Sequence, residues 1–285
     1  MSTGDAVTGP ARLWRSVMTF GSWTLLSRIM GLVRDIVLGV VFGPSAATDA
    51  FFVAFKIPNF LRRLFAEGAF QQAFVPVIAD ARADGGDRAV RALFSRVSGC
   101  LAMILVVMTA LAMLGSPVLV RVFAPGFADQ PEQLALAADL LRLTFPYLLL
   151  IALTAAAAAV LNTYDRFGPP AFAPVLLNLC LIAAAIGLAP RLEVGVMALA
   201  LAVPVAGLLQ LLLQLPFLWR QGVLAWPRPR WSDPGVRRIL RLMGPTLFST
   251  SVQQINLLVD TMLASFLVVG SISWLYWSDR LMEFP

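Results

Sequence analysis

The sequence contains no histidine, only two cysteines, and few charged residues, which make up 13% of its 285 positions. Without histidine, a Ser–His–Asp triad, a Cys–His nucleophile and a histidine-ligated zinc site are all excluded. Cys100 and Cys180 both lie in apolar runs without metal-ligand spacing, so we interpret them as small core residues. No nucleophile–base pair is visible, and the sequence does not indicate an enzyme.

Apolar residues make up 59% of the chain. A soluble protein of this size has too few polar side chains to cover so much apolar surface. At about 20 apolar residues per span, the composition allows roughly seven or eight transmembrane helices. The net charge of +6 is then explained by basic loops, and we expect no nucleic-acid partner. The composition predicts an all-α polytopic membrane protein.

Apolar runs between short polar breaks predict eight helices. They cover residues 13–42, 48–79, 90–123, 134–161, 172–188, 194–218 and 236–269, and a last helix begins near 271. The second is too long for one straight span and contains Pro58, which predicts a break there. We divide the chain into a disordered N-terminus (1–11), a six-helix lobe (12–218), a connector (219–235) and the start of a second lobe (236–285), which we expect to continue beyond residue 285.

The loops predict an orientation. If the N-terminus is cytoplasmic, thirteen loop arginines lie inside and only two, Arg121 and Arg191, lie outside. Basic residues concentrate in cytoplasmic loops, so this asymmetry predicts a cytoplasmic N-terminus.

Seven bases lie inside the predicted helices, where each costs about 2.5–3.5 kcal/mol near the centre of the membrane. They are Arg28, Arg34, Lys56, Arg62, Arg63, Arg142 and Arg280. Five of the seven fall in the first two helices. A cavity lined by arginines suits a polyanion, because the guanidinium fork can bind phosphate oxygens bidentately.

Helical spacing separates paired from unpaired arginines. Asp35 follows Arg28 by seven residues, so the two can partly neutralise each other. Arg34 and Arg62 have no acid three or four residues away, and we interpret them as unpaired guanidiniums.

A polar stripe along the second helix joins Asp49, Lys56 and Arg63 at seven-residue intervals. Glu67 follows Arg63 by four residues, the spacing of a local ion pair. Asp260 has no base within four residues. It can bind a cation or a proton, or pair with a base from another helix, and the sequence leaves both alternatives open.

Several segments resemble one known family, the MurJ/MviN lipid II flippases. The resemblance begins with SRIMGLVRD (27–35) and continues through ATDAFFVAFKIPNFLRR (47–63), FAEGAF (65–70) and AFVP (73–76). Later matches include APGF (124–127), MGP (243–245) and DRLMEFP (279–285).

The resemblance implies the fold of the multidrug/oligosaccharidyl-lipid/polysaccharide exporters, with two six-helix lobes and a final helix pair. It implies that lipid II, an undecaprenyl-pyrophosphoryl precursor of peptidoglycan, is moved across the bacterial inner membrane by alternating access. Its implied partners are lipid II, membrane lipids and, as a further candidate, the cell-wall synthesis machinery. No cofactor is implied other than a coupling cation or the membrane potential.

The resemblance also assigns roles to residues. It implies that Arg28, Arg34, Arg62 and Arg280 bind the substrate and that Asp49 is a required acid, to which we assign a gating role. From helical spacing and the position of the proline, we add Lys56, Pro58 and Glu67 as gating or structural positions. Asp260 remains the candidate for ion coupling. The alternatives are a flippase for another polyprenyl-pyrophosphate oligosaccharide, a cation-coupled drug exporter that uses Asp260, and a membrane scaffold for wall synthesis without transport.

Overall fold

Ten α-helices and no strand are found in residues 10–282, the range whose backbone the computed structural model describes. Within this range the side chains of 10–20, 22–24, 65–67, 248–254 and 257 are not described. The helices are α1 (Pro10–Phe42), α2 (Ala46–Leu61), α3 (Gln71–Leu114), α4 (Ser116–Phe123), α5 (Pro131–Thr144), α6 (Tyr147–Thr163), α7 (Gly168–Ala183), α8 (Val196–Arg220), α9 (Pro234–Ala264) and α10 (Ser271–Met282). The predicted all-α class is confirmed. The predicted disordered N-terminus falls mainly on residues 1–9, outside the described range.

Helix α2 does not break at Pro58. It continues through the proline to Leu61 and then changes into a π-helical segment, Arg62–Phe70. A proline inside a helix deprives the carbonyl four residues earlier of its usual donor. Here that carbonyl belongs to Ala54, and the Thr144 hydroxyl of α5 donates to it at 3.1 Å. The predicted break at Pro58 is therefore wrong, because a neighbouring helix supplies the missing donor and the irregular winding begins at Arg62.

The predicted break between two helices at 80–89 is confirmed, but it is a kink at one residue and not a loop. Helical winding runs from Gln71 to Leu114, and only Gly86 leaves it, at φ 60° and ψ −154°. Glycine adopts a positive φ readily because it has no Cβ, so one residue is enough to redirect the chain. The predicted helix 134–161 is in fact two helices, α5 and α6, which meet at Pro146.

Four segments of the described chain are long and apolar enough to cross a membrane. They are Ala46–Leu114, Pro131–Thr163, Gly168–Arg191 and Val196–Arg220. Successive helices run between two ends of the molecule. We call the end formed by residues 43–47, 125–129 and 265–270 the hairpin end, and the end formed by 80–96, 164–167 and 221–233 the connector end.

The main core surrounds α2, whose aromatic residues are buried against α5, α6 and α8. Phe52 extends this core to α10, because its ring stacks on Tyr276 with centroids 4.0 Å apart. A smaller apolar cluster joins α3, α6 and α9 near the connector end. Helices α9 and α10 therefore pack on the first lobe through apolar interfaces.

Candidate functional site

A cavity of about 140 Å³ lies between α1, α2, α4, α7, α9, α10 and the π-helical segment. Five bases and one acid line it: Arg34, Lys56, Arg62, Arg63, Arg280 and Asp279. The rest of the lining is mainly aromatic and aliphatic, and includes Phe55, Phe60, Phe123, Leu177 and Leu258. Cationic groups in an apolar-walled cleft concentrate anions, because the low-dielectric walls focus the field.

Arg34 is buried, with 5% of its surface exposed, at the junction of three helices. Its Nε and Nη2 atoms contact Oδ1 of Asp35 at 2.8 and 2.7 Å. Nη1 donates to Asn178 Oδ1 of α7 at 2.9 Å, and Nη2 donates to Tyr276 Oη of α10 at 3.0 Å. Four of the five guanidinium N–H groups are thus engaged. Arg34 mainly holds α1, α7 and α10 together in this conformation.

Two predictions about α1 are therefore wrong. Asp35 pairs with Arg34, so Arg34 is not an unpaired guanidinium and Asp35 does not neutralise Arg28. The physical reason is distance along the helix, since seven residues separate Arg28 and Asp35 by about 10 Å. Arg28 is exposed and does not line the cavity.

Arg62 and Arg63 both face the cavity, although consecutive residues of an α-helix point in different directions. Both belong to the π-helical segment, whose wider winding changes the direction of successive side chains. Arg62 Nε donates to Asn59 Oδ1 at 3.1 Å, and Asn59 Nδ2 donates to Phe55 O at 2.9 Å. The predicted pair between Arg63 and Glu67 cannot be assessed, because the Glu67 side chain lies outside the described residues.

Lys56 connects α2 to α9 across the cavity. Its ammonium donates to Thr261 Oγ1 at 3.1 Å and lies within electrostatic range of Asp279 and Asp260. Asp260 is exposed, one position before Thr261. Of the two alternatives for Asp260, a base from another helix, Lys56, is thus close by.

Asp49 joins α2 to α10 at the hairpin end. It is 2% exposed, and its Oδ2 accepts from Gly270 N at 2.6 Å. Its Oδ1 accepts from Ser273 N at 2.8 Å and from Ser273 Oγ at 2.5 Å. The carboxylate of α2 therefore caps the N-terminus of α10, where free N–H groups and the helix dipole favour a negative charge.

A second contact at the hairpin end involves Gly126, which lies in a 3-10 turn, Pro125–Asp129. Its N–H donates to Ser265 Oγ at 3.0 Å. A methyl group at this position would collide with the Ser265 carbonyl. Asp49 and Gly126 thus hold both sides of the turn between α9 and α10.

Polar contacts also join elements at the connector end. Tyr164 Oη donates to Asp87 Oδ1 at 2.6 Å, and the Arg82 guanidinium lies 4.2 Å from the Tyr164 ring centroid. Burial, followed by the bond to Asp87, raises the pKa of Tyr164 to about 12, so it stays a donor at neutral pH. Arg238 of α9 pairs with Asp80 of α3 at 2.9 Å, an exposed bridge worth about 0–1 kcal/mol.

The sequence interpretation missed the neutral residues that orient the bases. Asn178 and Tyr276 hold Arg34, Asn59 holds Arg62, and Thr261 holds Lys56. Asn59 precedes Arg62 by three residues, a spacing that the sequence offered as a signal. Asn178 is a lone amide in an apolar run, which was a weaker signal. The partner of Asp49 carried no local signal, because more than 220 residues separate Asp49 from Ser273.

Long apolar helices and a cationic cavity between a first lobe and the start of a second define a multi-pass membrane protein whose architecture is typical of transporters. Comparison of the chain with known proteins identifies the family within this class. The family model described as "Lipid II flippase MurJ" matches residues 38–285. The chain belongs to this family.

Two curated relatives illustrate the similarity, and both are described as a probable lipid II flippase MurJ. The chain is 50% identical to the one from Haemophilus influenzae, over 92% of the chain and 53% of the relative. It is 48% identical to the one from Vibrio cholerae, over 98% of the chain and 54% of the relative. The chain thus spans about half the length of these relatives.

A solved structure, "Lipid II flippase MurJ, inward closed conformation", matches with a TM-score of 0.79 and 28% identity. The match covers 94% of this chain and 55% of that structure. The identified family and the expected partial coverage of the transporter fold are both confirmed.

Proposed function

We propose that this chain forms the first lobe and the start of the second lobe of a lipid II flippase. The observation that carries the proposal is the cavity with five bases, placed between the first lobe and α9–α10. A pyrophosphate linked to a lipid carries the compact negative charge that such a cavity attracts, and arginine forks suit its oxygens. The names of the relatives supply the same substrate class.

The proposed mechanism is alternating access without a covalent step, so the protein is a transporter and not an enzyme. The pyrophosphate binds Arg62, Arg63 and Arg280 while the hairpin end is sealed by Asp49. A bound polyanion reduces the mutual repulsion of bases from both lobes and favours their approach. The seal at the hairpin end must then break for the substrate to leave on that side, while the polyprenyl tail stays in the bilayer.

Growth of cells depleted of their own lipid II flippase tests the proposal. The full-length protein, as the cell makes it, is expected to restore growth, and Arg62→Ala is expected to fail at equal expression. Arg62→Lys is expected to restore less than wild type, because an ammonium cannot form the bidentate fork. Arg88→Ala, an exposed arginine outside the cavity, is the matched control and should restore growth fully. A flippase for another oligosaccharide lipid, a drug exporter or a scaffold would not give this pattern.

We propose that the protein resides in the bacterial inner membrane with its N-terminus and its connector end in the cytoplasm. The arginine asymmetry of the loops supports this orientation. Cysteines at Ala83 and at Gln221 are therefore expected to react with a permeant thiol reagent and to resist an impermeant one added outside. Labelling of either position by the impermeant reagent in intact cells would reverse the orientation.

We propose that Asp260 belongs to an ion-coupling site, in which its carboxylate also interacts electrostatically with Lys56. We expect Asp260→Asn in the full-length protein to weaken transport while sparing insertion and lipid II binding. The defect should change with sodium concentration or with pH, depending on the ion. Asp139→Asn, an exposed carboxylate on α5 that pairs with Arg142, is the control. Unchanged growth with Asp260→Asn across both ranges would leave Asp260 as a structural acid.

A further inference from the structure

The connector carries a dense positive charge and directly follows α8, a helix long and apolar enough to cross a membrane. Between 219 and 241 there are six arginines and one acid, Asp233. The arginines are Arg220, Arg228, Arg230, Arg237, Arg238 and Arg241. Helix α8 ends at Arg220 and α9 begins at Pro234, so we place the connector at the depth where the α8 span leaves the membrane. That depth corresponds to the lipid headgroups.

The connector is held in one position against α3. The N–H of Arg228 donates to Ser95 O at 2.9 Å, and the Ser95 hydroxyl donates to Trp226 O at 2.5 Å. Gly99 faces the backbone of Arg228 and Pro229 so closely that a methyl group there would collide. The connector is therefore a docked part of the lobe rather than a free linker, and its side chains are presented in a defined arrangement.

An open pocket of about 360 Å³ lies between the connector and α3, and Arg96, Arg228 and Arg230 line it. Arg96 is neutralised, because it pairs with Asp233, the N-cap of α9. Arg228 and Arg230 are exposed and form no ion pair within the described part of the chain. Two guanidiniums on either side of Pro229 are thus left to bind an anion.

Tryptophans indicate which kind of anion this is. Trp226 is 82% exposed and Trp231 is 41% exposed, and they flank the two arginines in sequence. Exposed indole rings are costly in water but favoured at the membrane interface, where the ring meets acyl chains and the N–H meets headgroups. Basic pockets beside membrane helices bind anionic lipid headgroups. A free phosphate would need the arginines but not the tryptophans.

We propose that the connector and α3 form a binding site for the headgroup of an anionic phospholipid, with Arg228 and Arg230 as the phosphate ligands and Trp226 and Trp231 packed on the adjoining lipid. The site is separate from the central cavity, and it shares no residue with it. An anionic lipid held there would fix the connector, and hence the N-terminus of α9, at the membrane surface.

Calorimetric titration of the detergent-solubilised full-length protein with short-chain phosphatidylglycerol tests the site. Saturable binding is expected, with much weaker binding of short-chain phosphatidylcholine and of glycerol phosphate. Each arginine at an anionic lipid surface contributes about fivefold in affinity, so Arg228→Ala with Arg230→Ala should weaken binding about 25-fold. The same pair replaced by lysine keeps the charge and should lose less.

Arg88→Ala with Arg166→Ala is the matched control, because it removes the same charge from exposed positions at the connector end outside the pocket. The control pair is expected to bind within about twofold of wild type. An equal loss in the control would show diffuse attraction and overturn the site. Glycerol phosphate binding as tightly as the lipid would overturn the lipid assignment, as would an absence of saturable phosphatidylglycerol binding by a folded chain.

Discussion

Replacing Asp49 with alanine is expected to open the hairpin end of the cavity and to abolish transport. The carboxylate accepts three hydrogen bonds from Gly270 and Ser273, and it caps α10. Bonds to a charged group are worth about 1.5–3 kcal/mol, so the sealed state should lose about tenfold to a hundredfold in population. The measurement is labelling of Leu177→Cys, a cavity position on α7, by an impermeant thiol reagent added outside cells that carry the full-length protein without native cysteines.

Two further variants distinguish opening of the hairpin end from a loss of overall stability. Asn has the same shape as Asp, but in Asp49→Asn the side-chain NH2 faces a backbone N–H group, and two donors cannot bond to each other. This variant should therefore also increase labelling. Asp139→Ala removes an exposed carboxylate that pairs with Arg142 and should leave labelling unchanged. If Asp49→Ala lowers expression or thermal stability without increasing labelling in the folded fraction, Asp49 is a structural cap and the seal is refuted.

Replacing Arg34 with alanine is expected to destabilise the fold, whereas Arg62→Ala is expected to weaken binding of lipid II and leave the fold intact. Arg34→Ala leaves Asp35 buried without a positive partner, and removal of one member of a buried pair costs about 3–5 kcal/mol. Arg62 is half-buried and lies on the cavity wall. Thermal unfolding in detergent measures the first effect, and titration with lipid II measures the second.

A double replacement is the control for this distinction. Arg34→Met with Asp35→Asn removes both charges and should recover a large part of the stability lost in Arg34→Ala, because no unpaired buried charge remains. Substrate affinity should recover with it if Arg34 acts mainly by joining α1, α7 and α10. If stability returns but lipid II still binds as weakly as to Arg62→Ala, then Arg34 contacts the substrate directly and its structural assignment is wrong.

Composition and periodicity alone determined the class of this protein. Too few polar residues for a soluble surface, long apolar runs and the absence of histidine led to a helical membrane protein without common catalytic sites. The same features predicted that bases inside helices mark a cavity, and Arg34, Lys56, Arg62, Arg63 and Arg280 do line one. These properties depend on residue type and local spacing, which the sequence states directly.

Tertiary structure decided which charges are paired and where the helices change course. Arg34 has no acid three or four residues away, yet its guanidinium pairs with the adjacent Asp35 and also donates to Asn178 and Tyr276 of distant helices. The winding stays α-helical at Pro58 because Thr144 of another helix supplies a donor. In each case a bonding partner on another helix lies about 90 to 240 residues away in the chain. The free energy of a buried polar group is set by whichever neighbours packing provides, and only the folded chain specifies them.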